Sequence, residues 1–336
     1  MILSTGAQRL EKLVDGGLVW DNHGCMPLRP DDSAFFDELL RCRSAGIDCI
    51  TLNIGFGDDG IEQHIRMLAH FRAWIARHSD EFQLILRPND LTCAKATGRL
   101  GVCFDIEGMN ALGNQVSMVR LYYDLGVRWM LIAYNVANPA GGGCLEDDRG
   151  LTMFGREVIE EMNAVGMVIC CTHTGYRTAR QAIDASKDPV IFSHSNARAI
   201  WDHPRNIPDD LMLACAARGG VIGLNGFGQF LGDNDDSTET FVRHVEHVLS
   251  VVGDDHVGIG LDYMFDQNEL TELMAARPAS LPAGAYGEAP KMIPPWRLPE
   301  IAQALSDRGC GTATLAKIMG GNFQRIARSV WRSAET

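Results

Sequence analysis

A chain of 336 residues is longer than a small domain needs and suits a single α/β barrel, which takes about 250 residues plus insertions. An apolar fraction of 46% with 22% charged residues allows a large core, and a net charge of -13 excludes the basic surface that nucleic acid demands. No apolar run approaches the roughly 20 residues that span a bilayer, the N-terminus lacks a secretory plan, and the cysteines include no C-x-x-C pair. The expected setting is therefore cytoplasmic and reducing, with no membrane and no nucleic-acid partner.

Apolar, β-branched runs recur at 18–23, 49–54, 101–107, 129–135, 168–174, 190–195, 220–227 and 257–263. Amphipathic, helix-like segments lie between them at 32–45, 61–77, 115–125, 155–165, 176–186, 208–218 and 238–252. The stretch Ser186-Lys187-Asp188-Pro189 breaks one helix before a strand, and Pro208-Asp209-Asp210 opens another with acid at its positive end. Eight strands alternating with helices predict a closed parallel (β/α)8 barrel spanning the chain as one domain. The competing open, doubly wound sheet would need a G-x-G-x-x-G loop after its first strand, and Asp21-Asn22-His23-Gly24-Cys25-Met26-Pro27 has none. Residues 264–299, rich in Pro, Gly and Ala, read as a long loop or lid over the barrel mouth, and 299–331 as terminal helices.

In such barrels the chemistry lies where strands end. Reading off those ends gives His23, Glu107, Tyr134 with Asn135, His173, His194 and Asp262. A lone strand-end histidine is ordinary, but five titratable groups after apolar strands are expensive to bury unless paired or metal-bound. Histidines with a carboxylate suit zinc or a similar divalent ion, and two ions bridged by Glu107 would clamp a substrate carbonyl. His23 would serve one ion, His173 and His194 the other, and Asp262 would move the proton between attacking water and leaving nitrogen.

The segments Asp105-Ile106-Glu107-Gly108, Gly150-Leu151-Thr152-Met153-Phe154-Gly155, Thr172-His173, Phe192-Ser193-His194-Ser195-Asn196-Ala197-Arg198, Gly258-Ile259-Gly260-Leu261-Asp262 and Met319-Gly320-Gly321-Asn322-Phe323 follow one another along the chain. In that order they resemble the membrane (renal) dipeptidases of the amidohydrolase superfamily. The resemblance implies two zinc ions bridged by Glu107, a dipeptide-like substrate whose carboxylate meets Arg205, and a homodimer. A surface salt bridge is the bland alternative for Arg205. Three positions depart from the family pattern. His23-Gly24-Cys25 replaces a His-x-Asp, so Cys25 reads as a thiolate ligand, a reactive thiol, or a sign that one metal is lost. Tyr134 replaces a substrate-contacting histidine and reads as an oxyanion donor or a cap on the barrel mouth. Apolar Ile169-Cys170-Cys171 precede His173 where the family usually has an acidic residue. The expected activity is hydrolysis of a small carboxylate-bearing amide, dipeptides by default. An N-acyl amino acid or lactam is the alternative substrate, and a barrel that lost a metal and its catalysis is the alternative of another class.

Overall fold

The computed structural model describes residues 5–276, 279–282, 286–287 and 289–332. Ten strands run β1 Trp20–Cys25, β2 Cys49–Phe56, β3 Phe82–Leu84, β4 Leu100–Glu107, β5 Val127–Leu131, β6 Val168–Cys170, β7 Ile191–Phe192, β8 Val221–Leu224, β9 Val257–Ile259 and β10 Tyr263–Met264. Every pairing between them is parallel, in the order β10-β1-β2-β4-β5-β6-β7-β8-β9. β9 and β10 belong to one extended run interrupted at 260–262. One half pairs β8 and the other pairs β1, so the order returns on itself as an eight-position barrel. β3 pairs only β4, outside this path.

The strand faces sort by period two. One face carries Trp20, Cys49, Cys103, Trp129, Cys170 and Val221, from strands all round the barrel, into one cluster. Only the interior can gather side chains from so many strands. Phe323, Ile326, Val330 and Trp331 join that cluster, so the helix Asn322–Val330 fills the barrel from its N-terminal end. A Cβ on Gly258 would stand 2.4 Å from the Phe323 ring, so glycine there makes room for the plug. The opposite strand faces pack on the surrounding helices in a larger apolar layer.

The helices Ile61–Arg77 and Thr238–Val252 form where the apolar periodicity places them, and the helix Tyr176–Ala185 stops at Ser186. Several expectations are corrected. β1, β2 and β4 reach or pass the ends of their apolar runs, but from β5 on the strands stop short: β5 ends at Leu131 and β6 at Cys170, so Tyr134, Asn135 and His173 sit in the loops beyond them. Residues 264–299 are not one irregular loop, because Gln267–Ala276 is helical there and Pro295–Arg297 forms a 3-10 turn. Positions 277–278, 283–285 and 288 of that segment lie outside the described residues. The helices Thr5–Leu13 and Pro88–Thr97 and strand β3 had no counterpart in the apolar pattern. No helix among the described residues is long and apolar enough to cross a membrane.

Candidate metal centre

The C-terminal mouth of the barrel brings His23, Cys25, Glu107, His173, His194 and Asp262 together. Glu107 ends β4 and turns its Oε1 to the three imidazoles, 3.5 Å from His23 Nε2, 3.5 Å from His173 Nε2 and 3.2 Å from His194 Nε2. The His173 and His194 Nε2 atoms are 3.1 Å apart, and His23 stacks on His194 with centroids 3.9 Å apart. Asp262 Oδ1 lies 3.4 Å from His23 Nε2, and Cys25 Sγ lies 3.7 Å from each of these two atoms. Among the described residues two groups are spaced to hold an ion, His23 with His194 and Asp262, and Glu107 with His173 and His194. His194 thus reaches both groups, whereas the sequence had assigned it with His173 alone.

What lies behind the rings decides which nitrogen faces inward. His23 donates from Nδ1 to Asp105 Oδ2 at 2.7 Å, and Asp105 also accepts from Trp129 Nε1 at 3.2 Å. His173 donates from Nδ1 to Asn135 Oδ1 at 2.6 Å, and the Asn135 amide is oriented by its own donation to the Ser280 carbonyl at 3.0 Å. His194 Nδ1 meets the Ser193 hydroxyl at 2.9 Å. With Nδ1 of His23 and of His173 engaged as donors, and Nδ1 of His194 held by the Ser193 hydroxyl, three Nε2 atoms converge on one carboxylate. Glu107 Oε1 has no hydrogen-bond partner although it is buried. The His173 and His194 Nε2 atoms, 3.1 Å apart, stand close to the spacing of two ligands on one tetrahedral zinc, about 3.4 Å. The donor set therefore fits a divalent cation in chemistry and in spacing.

The electrostatics point the same way. Burial, then the charges of Arg205 and His23, holds His173 well below the ordinary histidine range, and burial with the same neighbours does so at His194. At His23 burial also opposes the charged form, but Asp105 and Glu107 outweigh it and the ring is pushed well up. Burial raises Glu107 to about 8, with Asp262 and Asp105 adding to it against His23 and Arg205. A carboxyl this costly to ionise without a cation is one that a cation would stabilise.

Backbone geometry aims the loop residues. Asn135, His173 and Asp262 all adopt left-handed φ, at 61°, 62° and 60°, a conformation that costs a non-glycine residue about 1–3 kcal/mol. At Asp262 this turn separates β9 from β10. It is pinned by the Asp262 N–H on the His23 carbonyl and by the Leu261 N–H on Asp21 Oδ1, both at 2.9 Å. Asn225 Nδ2 then donates to Asp262 Oδ2 at 2.8 Å, leaving Oδ1 toward His23 and Cys25.

Tyr134 stacks on the His173 ring at 4.2 Å, and burial pushes its hydroxyl well up, so it stays a donor. Arg205 is only 2% exposed, lies over Phe230 at 4.9 Å, and has neither Nε nor Nη2 partnered. It forms no ion pair among the described residues, which removes the surface salt bridge as its explanation. Sequence reasoning missed Asp21, Asp105, Ser193 and Asn225. Asp105 had a usable signal: it sits two residues before Glu107 and shares its strand face.

A parallel barrel that turns imidazoles and carboxylates into its C-terminal mouth has the architecture of the metal-dependent hydrolases. The chain belongs to the membrane dipeptidase family, peptidase family M19, whose model matches residues 17–275. It is 32% identical over 236 residues to a dipeptidase of Schizosaccharomyces pombe, covering 68% of this chain and 52% of that one. It is 30% identical over 259 residues to the dipeptidase tcpJ of Claviceps purpurea, covering 75% and 56%. The chain thus spans about half the length of these relatives. Among solved structures, an amidohydrolase from Pseudomonas aeruginosa superposes with a TM-score of 0.87 at 26% identity, covering 96% of this chain and 99% of the other. A metallo peptidase from Rhodobacter sphaeroides, bound to a phosphinate mimic of L-Ala-D-Ala, shares the fold with a TM-score of 0.77 at 19% identity, covering 94% and 99%.

Proposed function

We propose that this protein is a metal-dependent hydrolase that cleaves the amide bond of a small, carboxylate-bearing substrate of the dipeptide kind. One observation carries the reading: a buried, unpartnered Glu107 Oε1 faces three imidazole Nε2 atoms at 3.2–3.5 Å. Zinc is the ion that this set of donors suits, two per chain, with Glu107 between them, His173 and His194 on one, and His23 with Cys25 on the other. Bound zinc would acidify a water and polarise the scissile carbonyl. Asp262, held by Asn225, takes the proton of the attacking water and returns it to the leaving nitrogen. The Tyr134 hydroxyl donates to the developing oxyanion. Arg205, buried with free donors, receives the substrate carboxylate in a bidentate pair. Free thiols at all ten cysteines, Cys93 exposed among them, support the cytoplasmic setting.

Elemental analysis of protein purified without chelator tests the reading, with about two zinc per chain expected. Chelation should abolish turnover, and Asp262→Asn should lower kcat by about 10²–10⁴ with the metal retained. Zero metal would leave a barrel without this chemistry and end the hydrolase reading. Turnover of N-acyl amino acids but of no dipeptide, in metal-replete protein, would move the substrate to that class.

A further inference from the structure

A cavity of about 230 Å³, open to solvent on one side, lies over Glu107 and Asp262. Its walls are mostly apolar: Met26, Leu28 and Phe227 from the barrel loops, Phe56 from the end of β2, and Leu273 and Met274 from the helix Gln267–Ala276, with Asn53, Gln63 and Tyr286 as neutral polar groups. The polar groups away from the metal cluster are few and acidic or neutral. Asp59 accepts the Phe56 N–H, and Glu269 accepts the Leu28 N–H and pairs with Arg29. No lysine or arginine lines this cavity among the described residues. Arg205 lines a separate polar hollow with Cys144 and Arg198, and the two spaces share His173 as a wall. A substrate with its carboxylate on Arg205 and its carbonyl at the metal cluster therefore projects its other end into the apolar cavity.

We propose that the group on the acyl side of the scissile bond, an N-terminal side chain or an acyl chain, is bulky, apolar and uncharged. Leu273 and Met274 are the residues that set this preference. The inference rests on the hydrolase reading above and names the substrate class of that site. An acidic group there would lose its hydration to apolar walls and face Asp59 and Glu269, and Arg29, the cation beside Glu269, is already shared among Glu269, Asp32 and Asp266. A small group would leave the cavity unfilled, and even one methylene in such a pocket changes selectivity by about 10–200-fold.

The test is kcat/KM of metal-replete protein for a Xaa–Gly series with Phe, Leu, Ala and Glu at Xaa, and for the matching N-acyl glycines. Phe and Leu members should exceed Ala by about tenfold or more and Glu by more still. Leu273→Lys should shift the Glu-to-Phe ratio toward Glu by about tenfold or more, with the melting temperature showing that the variant is folded. Equal rates for Phe and Ala, or a ratio that Leu273→Lys does not move, overturns the inference while leaving the hydrolase reading standing. Turnover of no member would sink the hydrolase reading instead. Calorimetric affinity of the same series for the Asp262→Asn protein reads the cavity without turnover, and equal affinity for Phe and Ala members overturns the inference in that case too.

Discussion

Asp105 acts at the centre without touching it: one of its oxygens holds both the His23 ring and the Trp129 indole. This fixes the His23 tautomer and raises the basicity of the nitrogen that faces Glu107. Asp105→Asn should therefore weaken zinc binding about 10–100-fold, measured by competition with a chromogenic chelator, without unfolding the barrel. Cys25 is the departure with a spectroscopic signature. Cobalt-loaded protein should show a near-ultraviolet thiolate-to-metal charge-transfer band that Cys25→Ser removes. Unchanged metal content and activity in Cys25→Asp would strike Cys25 from the ligand set. The residues legible in the sequence were those whose charge interrupts an apolar run, namely His23, Glu107, His173, His194 and Asp262. Most of the supports that orient them were hidden because they are neutral, as Ser193 and Asn225 are, or lie inside a strand, as Asp105 does; Asn135 was read as a strand-end residue but not as the partner of His173. Their roles exist only once strands distant in sequence are neighbours, as with His23 and Asp105, 82 positions apart.

At the scale of elements, the apolar runs located the strands but overstated their lengths. That holds from β5 on, where the last residues of each run lie beyond the strand, in the loops that cover the mouth; β2 and β4 reach the ends of theirs. Helices with a clear apolar stripe, such as Ile61–Arg77, were legible to the residue. Pro88–Thr97 was not, because it buries only Leu91 and Ala94 and shows little periodicity. The loop 141–145 shows how tightly the mouth is built. The Cys144 N–H donates to the His173 carbonyl and the Leu145 N–H to the Asn135 carbonyl. A Cβ on Gly143 would stand 2.1 Å from Asn135 backbone atoms. Gly143→Ala must displace Asn135 and with it the hold on His173. A stability loss of about 1–3 kcal/mol in a denaturant titration is expected, together with weaker metal retention on dialysis.

Across the whole molecule, His244 ties the segment between His194 and Arg205 to the outer helix layer. Its Nδ1 accepts the Ala197 N–H at 3.2 Å, and its Nε2 donates to the Leu231 carbonyl at 2.9 Å. Burial, helped by the charges of Arg243 and His247 and opposed by the Leu231 bond, lowers His244 from the ordinary 6.5 to about 4, and a proton on Nδ1 would displace the Ala197 N–H. The folded state holds this ring neutral, so its contribution is complete above the unfolded value of 6.5. It is lost as pH falls from there toward about 4 and amounts to roughly 3 kcal/mol. An unfolding titration repeated across that window should show the loss in the wild type and a smaller one in His244→Gln.

The plug that closes the barrel from below, the helix Asn322–Val330, follows the last barrel strand by nearly sixty positions. Truncating its anchor by Phe323→Ala should cost about 3–5 kcal/mol in a denaturant titration. A ribosome releases this helix after every strand it must seal. Until then Trp20 and Trp129 line a cylinder that water enters from one end, and the nascent chain has no dry interior to commit to. The order of synthesis thus delays completion of the barrel until this helix has been made, and a product stalled before it would present its tryptophans to chaperones.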